Sequence, residues 1–153
     1  MPWGYSGSVI SITPSTTDDN WTLDAVSAGI GKLKEVTAGG QATTSTAMQT
    51  RVARANGEAG GQTAGNVANL EGQGVPSNDI DFVTTYATTQ PTLAAGDLVS
   101  EGWNAHGGIF RWLADPEEEI WLITGQTLDL ISCRNSAGVG TSTYTCKWTE
   151  ISS

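Results

Sequence analysis

Apolar positions along this chain recur mostly with period two, the signature of strands with one buried face. Helical spacing is nearly absent. The one candidate, "LDAVSAGIGKLKEV", carries Gly29 and Gly31 where a helix interior would penalise them. Residues 31–37 instead read as a strand, followed by a turn at Gly39-Gly40 and a second strand in "TTSTAMQTRVARA", so that the pair predicts a hairpin. Residues 56–79 are rich in Gly and Asn and predict a long connection, regular only around Val67 to Leu70. Beyond it, "IDFVTTYATTQP", "DLVSEGWNAHGG", "GGIFRWLADPEEEIWLI", "QTLDLISCRN" and "STYTCKWTE" each contain strand pattern. The expectation is an all-β fold: a single β-sandwich or jelly-roll-like domain of about eight antiparallel strands, residues 22–153. A turn-rich N-terminal arm, residues 1–21, precedes it.

Residues 107–123 break the rule of one buried face. Asp115-Pro116-Glu117-Glu118 has turn chemistry, with Asp opening and Pro setting the next φ. Read as a hairpin closed by residues 115 and 118, it places Trp112 opposite Trp121 and Phe110 opposite Ile123. The other face then holds Ile109, Leu113, Ile120 and Leu122. Both faces are apolar and both need cover. The cover is either wholly internal, as in a central sandwich strand, or partly a neighbouring subunit. In the second case Phe110, Trp112 and Trp121 are the subunit-interface candidates.

Charge changes the picture by exclusion. The net charge is −9, and charged residues make up only 15% of the chain, against about a quarter in typical domains. Residues 1–55 balance Lys32, Lys34, Arg51 and Arg54 against four carboxylates, so the excess lies in residues 56–153. No Lys/Arg cluster exists to neutralise phosphates, which argues against nucleic acid and anionic membrane as partners. The N-terminal sequence lacks the basic and apolar regions of a signal peptide, and no run of 18 apolar residues is present. Cys133 and Cys146, read as one hairpin, face each other across two strands. A reducing cytoplasm favours two buried thiols there over a disulfide.

Catalytic chemistry finds little footing. The single His106 sits in "WNAHGG" without a nucleophile motif and reads as a turn residue. Glu117 to Glu119 read as a solvated charge run. Asp18-Asp19-Asn20 and Asn78-Asp79 with Asp81 are fragments of calcium loops without the full ligand spacing. No phosphate loop and no cofactor motif is present. The expectation is a protein that is not an enzyme, with no catalytic, cofactor or metal residues. Six tryptophans remain to be placed. They suit a sugar-stacking platform or protein contacts; Trp112, Trp121 and Trp148 fall in strands, whereas Trp3, Trp21 and Trp103 fall in loops. The arm, with Trp3, Tyr5 and Trp21 as partner-binding anchors, either docks on a neighbour or lies as a lid on its own domain.

The segments "GGQATTSTAMQTRVARANGE", "DFVTTYATTQPTL" and "SEGWNAHGGIFRWLADPEEEIWLI" with "LDLISCRNSAGVGTSTYTCKWTE" resemble small structural proteins of tailed bacteriophages over roughly residues 30–150. The family they suggest is the capsid decoration, or cement, protein. That resemblance implies a homotrimer bound to the major capsid protein on the outer surface of the virion, made in the cytoplasm of a bacterial host and stabilising the head without catalysis. Arg51 and Arg54 then either meet an acidic capsid surface or find internal partners. The alternatives are a phage fibre or tail β domain and a carbohydrate-binding module using exposed tryptophans.

Overall fold

The computed structural model describes residues 3–26, 29–57, 61–72 and 79–151. Among them are twelve strands: β1 (Trp3–Ile12), β2 (Asp19–Ala25), β3 (Ile30–Gly40), β4 (Ala47–Asn56), β5 (Gln62–Ala64), β6 (Val67–Asn69), β7 (Ile80–Tyr86), β8 (Thr92–Asn104), β9 (Ile109–Leu113), β10 (Ile120–Ile123), β11 (Leu130–Ala137) and β12 (Ser142–Glu150). They form two antiparallel sheets. The first runs β6-β1-β12-β3, with β9 and β10 both on the far edge of β3, and the second runs β5-β7-β2-β11-β4-β8.

The long strands alternate between sheets along the chain from β1 to β4 and again from β8 to β12, β9 and β10 counting together. Their nested pairs, β1 with β12, β2 with β11, β3 with β9 and β10, and β4 with β8, have jelly-roll connectivity. If β9 and β10 count as one interrupted strand, these are eight strands, and β5, β6 and β7 extend both sheets at one side. Alternation overturns the three expected hairpins. Residues 31–37 and the strand after Gly39-Gly40 fall in opposite sheets, as do the strands bearing Cys133 and Cys146. The 107–123 segment is not a hairpin either, because β9 and β10 point the same way and lie end to end along β3.

The expected arm is part of the sandwich. β1 lies between β12 and β6, and β2 lies between β7 and β11: β1 pairs with β12 along most of its length and with β6 at Tyr5 to Gly7, while Asp19 and Trp21 pair with β11. Turn-forming residues 13–18 join them. Met1 and Pro2 lie outside the described residues.

Alternation along β12 shows how side-chain period builds the core. Tyr144, Cys146 and Trp148 point inward and are buried, while Thr143, Thr145, Lys147 and Thr149 point out. Trp148 stacks on its cross-strand neighbour Tyr5 at 5.9 Å and on Phe82 of the opposite sheet at 6.0 Å. Ring faces therefore join the sheets at this end. Gly7 makes room for Phe82, since a Cβ at Gly7 would lie 2.7 Å from its ring. At another level of the sandwich the buried carboxamide oxygen of Asn135 accepts from Asn20 Nδ2 at 3.1 Å, Thr50 Oγ1 at 3.0 Å and Tyr144 Oη at 2.9 Å. Four strands from both sheets converge there.

Substituting Gly7→Ala is expected to lower stability by about 1–3 kcal/mol, because the methyl group displaces a ring with no free space behind it. Thermal or urea unfolding checks this; an unchanged midpoint would contradict the packing described.

Candidate functional site

Among the described residues, four of the nine exposed large apolar side chains lie along β9 and β10. Ladder pairs place Phe110 opposite Ala38, Trp112 opposite Val36, Ile120 opposite Leu33 and Leu122 opposite Gly31. Phe110 and Leu122 are buried, and Trp112 and Ile120 pack against the core half-buried. The odd-numbered residues face out. Ile109 is 80% exposed, Leu113 57%, Trp121 42% and Ile123 38%, a row of apolar side chains down the outer side of one edge strand. Of the three expected interface residues, only Trp121 therefore belongs to the exposed row; Phe110 and Trp112 point the other way. The expected Trp112 to Trp121 cross-strand pair does not exist.

A projecting loop separates the two halves of this strand. Ala114 N–H donates to the Lys34 carbonyl, and pairing resumes at Ile120 opposite Leu33, so residues 115–119 have no counterpart on β3. The turn expected at Asp115-Pro116-Glu117-Glu118 is present: Glu118 N–H donates to the Asp115 carbonyl at 3.0 Å, and Glu117 takes a left-handed φ of 75°. Asp115, Glu117 and Glu118 are exposed. Glu119 is not part of the solvated run, since it pairs with Lys34 at 2.9 Å and Lys32 at 3.8 Å. Those contacts, Lys34 first, hold its carboxyl below the ordinary range.

The same face carries a second ionic cluster. Glu35 pairs with Arg111 at 2.7 Å and Lys147 at 2.8 Å, joining β9, β3 and β12 across the sheet. Lys147 chiefly, and then Arg111, lower its carboxyl pKa against an opposing effect of burial. Lys32 Nζ lies 4.2 Å from the centroid of the Trp121 ring, close enough for a cation–π contact. Trp121 also borders a groove of about 390 Å³ lined by Arg54, Ile123, Gln126, Thr127 and Leu128.

The remaining expected residues have other duties. Tyr5 and Trp21 are 1% and 0% exposed, so neither can anchor an arm to a partner; their rings build the core instead. The Trp3 side chain lies outside the described residues. Trp148 is core, and half-buried Trp103 donates from Nε1 to Thr50 Oγ1 at 2.9 Å and meets Tyr144 edge-on. Arg51 has an internal partner, Asp97, at 2.6 Å. Exposed His106 occupies a turn, its Nδ1 2.9 Å from the Ala42 carbonyl. Asp19 pairs with Arg134 at 2.6 Å and accepts from Thr22, yet burial raises its carboxyl pKa. Asn20 serves Asn135, and Asn78 lies outside the described residues. Among the described residues no group of three or more His, Cys, Asp or Glu side chains is placed to hold a metal.

Cys133 and Cys146 are free, buried thiols on opposing sheets. Burial raises both pKa values well above the thiol range, which removes their nucleophilic form at neutral pH. A thiol reagent is expected to modify neither in the folded protein and both after denaturation; rapid native labelling would contradict this. For Glu35, the lowered folded pKa means its contribution is complete above the unfolded carboxyl range, about 4.3, and is lost as pH falls through the folded value. Glu35→Gln is expected to flatten the acid side of the melting curve against pH below about 5, at a cost near neutrality of about 1 kcal/mol or less because its cations are half exposed. Melting scans of both proteins check the difference.

Compared with known proteins, the chain matches no family model, no curated protein and no solved structure.

Proposed function

We propose that this chain is a non-enzymatic structural protein that oligomerises through the outer face of β9 and β10 and, as a trimer, decorates the outside of a tailed-bacteriophage head. The observation that carries the reading is the exposed row Ile109, Leu113, Trp121 and Ile123. Single exposed apolar residues are ordinary, but four along one edge strand form the kind of surface that association buries. Around them the face is built from Thr side chains and charges already neutralised in pairs, which lowers the cost of removing water. The jelly-roll connectivity supports a shell-associated role by analogy of fold alone. The likeness of residues 30–150 to phage decoration proteins supplies the specific partner, the major capsid protein.

Mechanism under this reading is added contact area. Each subunit bridging two capsomers contributes interface free energy that must be lost before the shell separates, and a trimer multiplies weak single contacts. No bond is made or broken in a substrate.

A second reading has one observation in its favour: Trp121 stands beside Arg54, Gln126 and Thr127 in a groove of saccharide size. Ring stacking and polar side chains are the elements of a carbohydrate site.

Light scattering is expected to give three chain masses, and the protein is expected to pellet with tailed-phage heads that lack their decoration protein. Leu113→Asp with Ile123→Asp is expected to yield folded monomers that stay in the supernatant. A wild-type monomer that ignores heads, and whose tryptophan fluorescence shifts on adding sugar, would replace this function with the glycan reading.

A further inference from the structure

The groove beside Trp121 contains an unusual cation. Six of the seven Lys and Arg side chains have a carboxylate within 4 Å: Lys32 and Lys34 share Glu119, Arg111 and Lys147 share Glu35, Arg51 takes Asp97 and Arg134 takes Asp19. Arg54 is the exception among the described residues. In a chain with sixteen carboxylates and seven cations, a guanidinium with no carboxylate partner among the described residues is not a matter of supply. It is half-buried on β4, among Trp121, Ile123 and Leu128. Apolar walls around a cation exclude water and strengthen its attraction for an anion that arrives with apolar surface of its own.

The complementary shape stands on the same edge. Residues 115–119 project from the strand as a knob whose turn is fixed by Pro116, the Glu118 to Asp115 hydrogen bond and the left-handed Glu117. It presents Asp115, Glu117 and Glu118, none of which forms an ion pair among the described residues, with exposed Leu113 at its base. Among the described residues, knob and groove form no ion pair within one molecule. The knob rejoins the ladder at Ile120 opposite Leu33, and the groove wall runs on from Trp121 opposite Lys32 to Ile123 opposite Ile30. No carboxylate of the knob reaches Arg54.

We propose that the knob of one copy seats in the groove of the next, with Glu117 or Glu118 pairing with Arg54 and the apolar row closing around the contact. The inference rests on the oligomeric reading above and adds its geometry. A knob on one copy and a groove on another make a head-to-tail contact, which closes into a ring when the rotation permits. Copies with a net charge of −9 repel one another, so a specific contact that brings acid to base also sets the orientation in which they meet.

The test is a charge exchange read by sedimentation velocity and light scattering across a dilution series, with circular dichroism to confirm folding. Arg54→Glu and the pair Glu117→Lys with Glu118→Lys are each expected to weaken association at least tenfold, and their combination to recover most of that loss. Arg54→Gln is the milder variant should Arg54→Glu unfold, and is expected to weaken association in the same direction. Recovery in the combined variant supports the knob and groove, since two unrelated lesions would add. An oligomer that Leu113→Asp with Ile123→Asp dissociates but that Arg54→Gln leaves unchanged would overturn this contact and keep the oligomeric reading. A wild-type monomer overturns both, and glucuronate binding by that monomer, lost in Arg54→Gln, would give the groove to an acidic saccharide.

Discussion

A bulge at Lys34 sets the arrangement of the exposed face. On one side of β3, Leu33 pairs with Trp148 and Glu35 with Lys147, so Lys34 is an extra residue against β12. On the other side the ladder breaks at the same point, between Leu113 opposite Glu35 and Ile120 opposite Leu33. A bulge shifts the alternation of the strand that contains it. Gly31 and Leu33 face inward below the bulge, Val36 and Ala38 above it, and Glu35 is turned to the outer face, where it gathers Arg111 and Lys147. Lys34 itself reaches the base of the projecting loop through Glu119. The ionic clusters, the loop and the apolar row are thus consequences of one irregularity shared by three strands.

Behind that face the sandwich is held by contacts that leave little freedom. The Tyr5, Trp148 and Phe82 rings join the sheets through apolar area, and the Asn135 carboxamide joins them through three donors to one oxygen. The two act differently. Ring stacking tolerates small shifts, while a buried acceptor with three donors is satisfied in one geometry and costly in others. Together they tie the two sheets into one support, and under the proposed contact role an interface that is ordered before binding loses less entropy on association.

Most strand positions beyond residue 30 were legible because period two is local, whereas β5 (Gln62–Ala64), in the Gly- and Asn-rich stretch expected to be irregular, was not. Pairing was not, because in a jelly roll the next strand along the chain lies in the other sheet. Glycine-rich stretches look like hairpin connections whichever sheet the chain enters next, and Gly39-Gly40, expected as a turn, are in fact the last two residues of β3. That is why Cys133 and Cys146 were expected side by side and stand in opposite sheets. Trp21 and Tyr5 misled for a related reason: turn-rich sequence around them hid two interior strands. Residues 107–123 were read as apolar on both faces, and counting by parity alone puts residues 110, 112, 120 and 122 inside, as found. The assumed hairpin moved Trp121 to the wrong face. Nothing local marks Arg54, whose distinction is the absence of an ion-pair partner among the described residues and depends on where six other cations lie.

An edge strand with an exposed apolar row is normally a hazard, because its free N–H and C=O groups can template pairing with any other strand. Here the five extra residues at 115–119 interrupt the edge between β9 and β10 and leave only five- and four-residue stretches of regular backbone. A partner strand cannot run along them without meeting the loop and its three exposed carboxylates, Asp115, Glu117 and Glu118. Association by main-chain addition is therefore disfavoured, while association by side-chain contact is not. The loop restricts which neighbour can approach, and the apolar row gives the permitted neighbour something to bury. A surface that combines both features selects for a shaped partner over an arbitrary strand, and such selectivity lets an apolar edge persist at high local concentration without open-ended aggregation.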